Sequence, residues 1–229
     1  FATAQGVGAL IAARILQGFA TGAAIGAVGA GMLDIDRDKG TVANAVAPAM
    51  GTAIGGLIAG LMVRWLPAPT HLVYIALAVV YLLQGLGVAL MPEPGMRRPG
   101  ALASLKVQWR APRSTHGPLL AAAPLLIAGW AIVGFYLSLG PALIHRVFGL
   151  DASLVGGVVP FLMAGSAGLA VLLWNRAHER HMRLSGASAL VVGMTASLIA
   201  LALHGTVAFF AASVVAGAGF GLGFQGAVR

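Results

Sequence analysis

The sequence predicts an all-α polytopic membrane bundle of seven transmembrane helices, on three observations. Apolar residues make up 59% of the 229-residue chain and charged residues 9%, with mean hydropathy +0.92; a soluble domain carries about 25% charge. The apolar residues gather into seven runs, roughly 2–33, 42–63, 71–91, 118–144, 152–174, 185–204 and 206–228. About 20 apolar residues, at 1.5 Å rise each, cover a ~30 Å hydrocarbon layer. The third observation is charge. Of 14 Lys and Arg, eleven lie on alternate junctions: Arg37 and Lys39; Arg97, Arg98, Lys106, Arg110 and Arg113; Arg176, Arg180 and Arg183; and Arg229.

The intervening junctions hold only Arg64, only Arg146, and none. Short cytoplasmic loops retain positive charge, so 34–41, 92–117 and 175–184 are expected in the cytoplasm of a cell-membrane protein, with Phe1 outside. The same spread assigns the basic residues to anionic lipid headgroups and not to nucleic acid, which asks for one basic patch with interleaved aromatics. There is no cysteine, hence neither a disulfide framework nor a thiolate metal site. Phe1 follows no initiator Met or signal-peptide layout, and Arg229 comes directly after the seventh run, so truncation at both ends is the simpler expectation.

Taken in order, the first run carries Gly18, Gly22, Gly26 and Ala30 at fourfold spacing, expected as a packing stripe. A charged turn, Leu33 to Gly40, leads to a second run with Ala43, Ala47, Gly51, Gly55 and Ala59 on one face and Gly56 and Gly60 beside it. Pro48 removes a backbone donor inside that run and is expected to bend it. Trp65 and Tyr74 flank the outer turn Arg64 to Thr70, as interfacial aromatics do. The Pro- and Arg-rich link 92–117 separates three helices (1–91) from four (118–229), and 101–110 is a candidate surface helix. The fourth run holds Trp130, Tyr136, Ser138 and Pro141, and the fifth Pro160; the sixth is plainly apolar. The seventh ends with Gly217, Gly219, Gly221 and Gly223 among Phe220, Phe224 and Gln225. Glycines of this kind are expected as packing seams, and Pro48, Pro141 and Pro160 as kinks or hinges.

Arg14 is the one charge far inside an apolar run, with Gln17 and Thr21 on the same helix face. A mid-bilayer charge costs ~2.5–3.5 kcal/mol on insertion scales. Two readings stay open: a polar track along a pathway, or an arginine snorkelling to the interface. For Tyr136, cavity lining competes with interfacial anchoring. His178-Glu179-Arg180-His181 resembles a zinc-protease helix, but that signature spaces its histidines i, i+4 and these are i, i+3. Metal, cofactor and enzyme chemistry are therefore not expected. Asp34, Asp36, Asp38, Glu93, Asp151 and Glu179 all lie in loops or at run ends, where a mid-membrane proton relay has no use for them.

Arg14-Ile15-Leu16-Gln17-Gly18-Phe19-Ala20-Thr21-Gly22 resembles the fourth-helix signature of the major facilitator superfamily. Ala47-Pro48-Ala49-Met50-Gly51-Thr52-Ala53-Ile54-Gly55-Gly56 is similar to its fifth-helix antiporter signature, with Ala47 in place of Gly and Thr52 in place of Pro. Asn175-Arg176 with Arg180 and Arg183 faintly echoes its charged loop. The resemblance spans the chain as the fourth to tenth helices of two pseudo-symmetric six-helix halves, joined through 92–117. It implies a central cavity lined by the first, fourth and seventh runs. The pathway candidates are Arg14, Gln17, Thr21, Trp130, Tyr136, Phe220 and Gln225, the packing and hinge candidates Gly18, Gly22, Gly26, Pro48, Gly51, Gly55, Gly56, Pro160, Gly217 and Gly221. It implies a monomeric secondary transporter of a small organic solute, with proton-coupled efflux ahead of a metabolite uptake carrier or facilitator. A seven-helix receptor is the remaining alternative. Its retinal-pump version fails because Lys39 and Lys106, the only lysines, lie in loops.

Overall fold

The computed structural model describes residues 6–91, 113–150 and 152–228, and among these the regular structure is entirely helical. Helix α1 runs Val7–Ile35, α2 Arg37–Trp65 and α3 Pro69–Ala89. Helix α4, Arg113–Gly134, continues through a π-helical turn, Phe135–Leu139, into α5, Gly140–Phe148. Then come α6, Ala152–Leu173, α7, Glu179–Ala202, and α8, Thr206–Val228. Counting α4 to α5 as one span, seven stretches are long and apolar enough to cross a bilayer. The physical reason is that hydrocarbon offers no hydrogen bonds, so apolar backbone closes its own within a helix.

Three boundaries differ from expectation, each because charged residues extend a helix instead of forming a loop. The turn expected over 34–41 shrinks to Asp36, the single residue between α1 and α2. Its backbone is extended (φ −155°, ψ 112°) and its carboxylate accepts from the N–H groups of Asp38 at 3.1 Å and Lys39 at 2.9 Å. This caps donors that the first turn of α2 otherwise leaves unpaired. Gly40 makes the reversal possible, since a Cβ there would overlap the Met32 carbonyl. The segment expected as a loop over 175–184 is helical from Glu179. His178 caps α7, its Nδ1 accepting from the Arg180 N–H at 3.3 Å, and Glu179 suits the positive end of the helix. Residues 113–117, expected in the link, begin α4; the rest of that link, including 101–110, lies outside the described residues.

The prolines sit in continuous helices. Pro48 is internal to α2, with the Thr52 hydroxyl donating to its carbonyl at 2.8 Å. Pro160 is internal to α6. Pro141 follows the π turn, where the Gly140 N–H reaches back to the Phe135 carbonyl and the Ser138 hydroxyl donates to the Gly134 carbonyl at 2.5 Å. The wide turn accommodates a residue that has no N–H and whose ring crowds the preceding turn.

Packing centres on α8, which lies between α6 and α7. A Cβ at Gly219 would come 2.6 Å from the Leu190 nitrogen, and one at Gly193 2.5 Å from that of Ala216, so α7 and α8 meet backbone to backbone. Gly217 and Gly221 face Met163 and Ala167 of α6 just as closely. Buried Tyr136, Ile144, Val159, Met163 and Phe209 form the main apolar cluster. A second seam joins α2 to α6: a Cβ at Gly56 would stand 2.9 Å from the Pro160 Cβ, and one at Gly157 2.6 Å from the Gly56 carbonyl oxygen. The expected stripes of Gly18, Gly22 and Gly26 on α1, and of Gly51 and Gly55 on α2, have nothing within 4 Å of a added Cβ among the described residues. The face of α2 that packs is marked by Ala49 and Ala53 together with Gly56, one of the expected packing candidates.

Candidate functional site

The pathway candidates fall into three places. On α1, the Arg14 guanidinium donates to the Gln17 side-chain oxygen at 3.0 Å, and Arg14, Gln17 and Thr21 are all exposed. The i, i+3 spacing of Arg14 and Gln17 puts them on neighbouring turns of one face, which is why they meet. A guanidinium carries five N–H donors in a fixed planar fork, so Arg14 can serve more than one acceptor at once. Helix α1 packs against α2.

The second place is an aromatic cluster made by α4 and α8. Trp130 stands edge-on to Phe220 (centroids 5.5 Å, 73°) and to Phe224 (6.2 Å, 89°), and the two phenylalanines are 5.7 Å apart. Edge-to-face pairs of this kind add about 0.5–1.5 kcal/mol beyond their buried area. Gly129 provides the room, since a Cβ there would be 3.0 Å from the Phe220 ring. Trp130 keeps 57% of its surface open although it belongs to a membrane span. Gln225, one residue beyond Phe224, is 7% exposed; no hydrogen bond of its amide is formed among the described residues, yet none of its polar atoms is sealed off.

The third place is the interior. Tyr136, expected as a cavity or interface residue, is fully buried, with its hydroxyl hydrogen-bonded to the Ser197 hydroxyl of α7 and its ring 6.0 Å from that of Phe209. It belongs to the core that α5, α6, α7 and α8 share, so it lines neither an open cavity nor a headgroup layer in this structure. Trp130 and Tyr136 thus differ in setting along one span, the first 57% exposed and the second buried. Ser197 gave no sign of this partnership in a plainly apolar run. Phe224 did carry a signal, since it follows Phe220 by one helical turn. His178 and His181 meet edge-on at 6.1 Å beside the α7 cap and serve the start of that helix.

Tyr136→Phe strands the Ser197 hydroxyl in the core. Side-chain hydrogen bonds within membrane bundles are worth about 0.6 kcal/mol and up to ~1.7. The expected result is a modestly lower thermal midpoint for Tyr136→Phe, partly recovered in Tyr136→Phe/Ser197→Ala, where both partners are gone. Equal midpoints for wild type and Tyr136→Phe in detergent would remove the hydroxyl pair from the account of stability.

A family model described as Major Facilitator Superfamily matches residues 1–228. No curated protein and no solved structure matches the chain.

Proposed function

This chain belongs to the major facilitator superfamily of membrane transporters, and on that premise we propose that it carries a small organic solute by proton-coupled efflux, through a cavity to which α1, α4 and α8 contribute. The supporting observation is Arg14, a charge within a 29-residue apolar helix, joined to Gln17 at 3.0 Å and exposed instead of packed. A charge at that depth is stable beside water or protein, not lipid tails. The open face of Trp130, backed by Phe220 and Phe224, supplies apolar contact for the body of a solute. Residues 1–91 and 118–229 then belong to separate halves that move about a central site, joined by a cytoplasmic link at 92–117. In this reading 34–41 and 175–184 are also cytoplasmic and the protein acts as a monomer in the cell membrane.

A second reading, an uptake carrier or facilitator of the same fold, is favoured by Thr52. It stands where the antiporter signature has proline, and its hydroxyl bonds back to the Pro48 carbonyl within an unbroken helix. Vesicles bearing the complete reading frame distinguish the two: a proton gradient drives solute flux only in the first. In the same vesicles, Arg14→Ala is expected to lower flux roughly tenfold, the factor that about 1.4 kcal/mol of lost interaction produces. Unchanged flux and unchanged pH dependence in Arg14→Ala would remove Arg14 from the pathway.

A further inference from the structure

Outside the pathway, a cleft of about 900 Å³ with charge on its walls opens between the start of α2 and the end of α6. Its polar rim is Asp38, Lys39, Asn175 and Arg176, and its wall is apolar, with Val42, Val46 and Leu172. The two cations come from separate parts of the chain, Lys39 from the first turn of α2 and Arg176 from the turn that follows α6, and both line the cleft. Among the described residues Lys39 is held by a surface ion pair to Asp36 at 3.5 Å, its side chain 89% exposed; such a pair contributes little and exchanges readily. Arg176 forms no ion pair among the described residues. Asp38 is the one carboxylate on the rim, so cations outnumber anions there, two to one.

We infer that this cleft binds the headgroup of an anionic phospholipid, with Arg176 and Lys39 on the phosphate and one acyl chain along Val42, Val46 and Leu172. A guanidinium matches a phosphate bidentately and an ammonium adds a mobile point charge. Asn175 supplies a neutral donor. The apolar wall continuing from a charged rim is what selects a lipid over free phosphate, because only a lipid offers both surfaces at once. The location agrees: both helix ends belong to the basic junctions assigned to the cytoplasmic leaflet, where anionic lipids attract Lys and Arg. The inference rests on membrane placement and not on Arg14 or on transport, so failure of the proposed function leaves it standing.

The test uses the complete protein, purified in detergent and titrated with phosphatidylglycerol or phosphatidylcholine, with retained lipid counted by native mass spectrometry. Wild type is expected to retain phosphatidylglycerol about tenfold better than phosphatidylcholine. Lys39→Gln/Arg176→Gln brings the ratio to parity, while Asp38→Asn raises it by removing the opposing carboxylate. Arg37→Gln/Arg180→Gln, which removes two charges outside the cleft, leaves the ratio unchanged and reports on folding. Three results overturn the inference: parity in wild type, an equal loss in the Arg37/Arg180 pair, or displacement of the lipid by millimolar inorganic phosphate.

Discussion

Gly217→Ala is expected to destabilise the protein more than any other single methyl addition in α8, enough to deplete folded protein from the membrane. The added Cβ would overlap the Met163 carbonyl and the Ser166 hydroxyl of α6. The carbonyl belongs to a helical backbone and cannot rotate aside, so α6 and α8 must separate. Overpacking of a well-filled core costs about 1–3 kcal/mol, occasionally more, and backbone-on-backbone contact belongs at the upper end. Separation also loosens the α7–α8 seam, because α8 is the element both neighbours share. Gly22→Ala is the control, since a Cβ there meets nothing within 4 Å and alanine gains about 1 kcal/mol of helix propensity over glycine. A thermal melt of both variants in detergent decides the matter: Gly217→Ala falls by many degrees and Gly22→Ala holds or rises. Equal midpoints would mean that the α6–α8 seam is not close-packed.

The second large effect is expected at Gly157→Val. A Cβ at Gly157 would lie 2.6 Å from the Gly56 carbonyl oxygen, 3.1 Å from the Gly60 Cα and 3.3 Å from the Leu57 Cα, all on α2. Two further methyl groups have nowhere to go, so α2 and α6 are forced apart along the seam that also holds Gly56 against Pro160. Unlike Gly217→Ala, this change leaves the α6–α7–α8 packing untouched. The expected result is protein that still inserts and melts cooperatively but whose solute flux in vesicles falls to background. Gly165→Ala on the same seam, where an added Cβ is 3.8 Å from Ala53, is expected to retain flux. Normal flux in Gly157→Val would show that transport does not depend on close contact between these two helices.

The small-residue signal illustrates how far the sequence was legible. Positions 43, 47, 51, 55 and 59 repeat every fourth residue, and that reads as a stripe. At 3.6 residues per turn, however, each step of four advances ~40° around the axis, so five such positions wind across much of the helix surface. The face of α2 that meets α6 follows steps of four and three through Ala49, Ala53, Gly56 and Gly60. In α8 the glycines are dense enough that several faces are bare at once, and both α6 and α7 exploit it. Spacing identifies helices able to approach closely; it does not say on which side a neighbour stands.

The candidate site divides in the same way. Arg14 and Gln17 were legible because their bond is local, formed within one turn. The Trp130–Phe220 contact joins elements about ninety residues apart; the family resemblance implied only that their two runs share a cavity, and neither the contact, nor Phe224, nor the Gly129 space beneath it was legible. Tyr136 was legible as a polar aromatic in an apolar run, but its burial against Ser197 depends on how α5 and α7 are set after the π turn. Nothing in either local sequence encodes that pairing. The charged junctions were read as loops because charge usually marks water. Asp36 and His178 show that a good cap turns the same residues into first turns of helices.

The number of spans, their order and their alternating basic junctions were determined by the sequence alone, since lipid solvates no backbone and the chain had to close its hydrogen bonds helix by helix. The tertiary structure alone decided which glycines are seams, where Tyr136 hides and which aromatics gather around Trp130. The reason is that lipid tails and leucine side chains are equally apolar, so no hydrophobic stripe tells one face of a membrane helix from another; steric fit between backbones does.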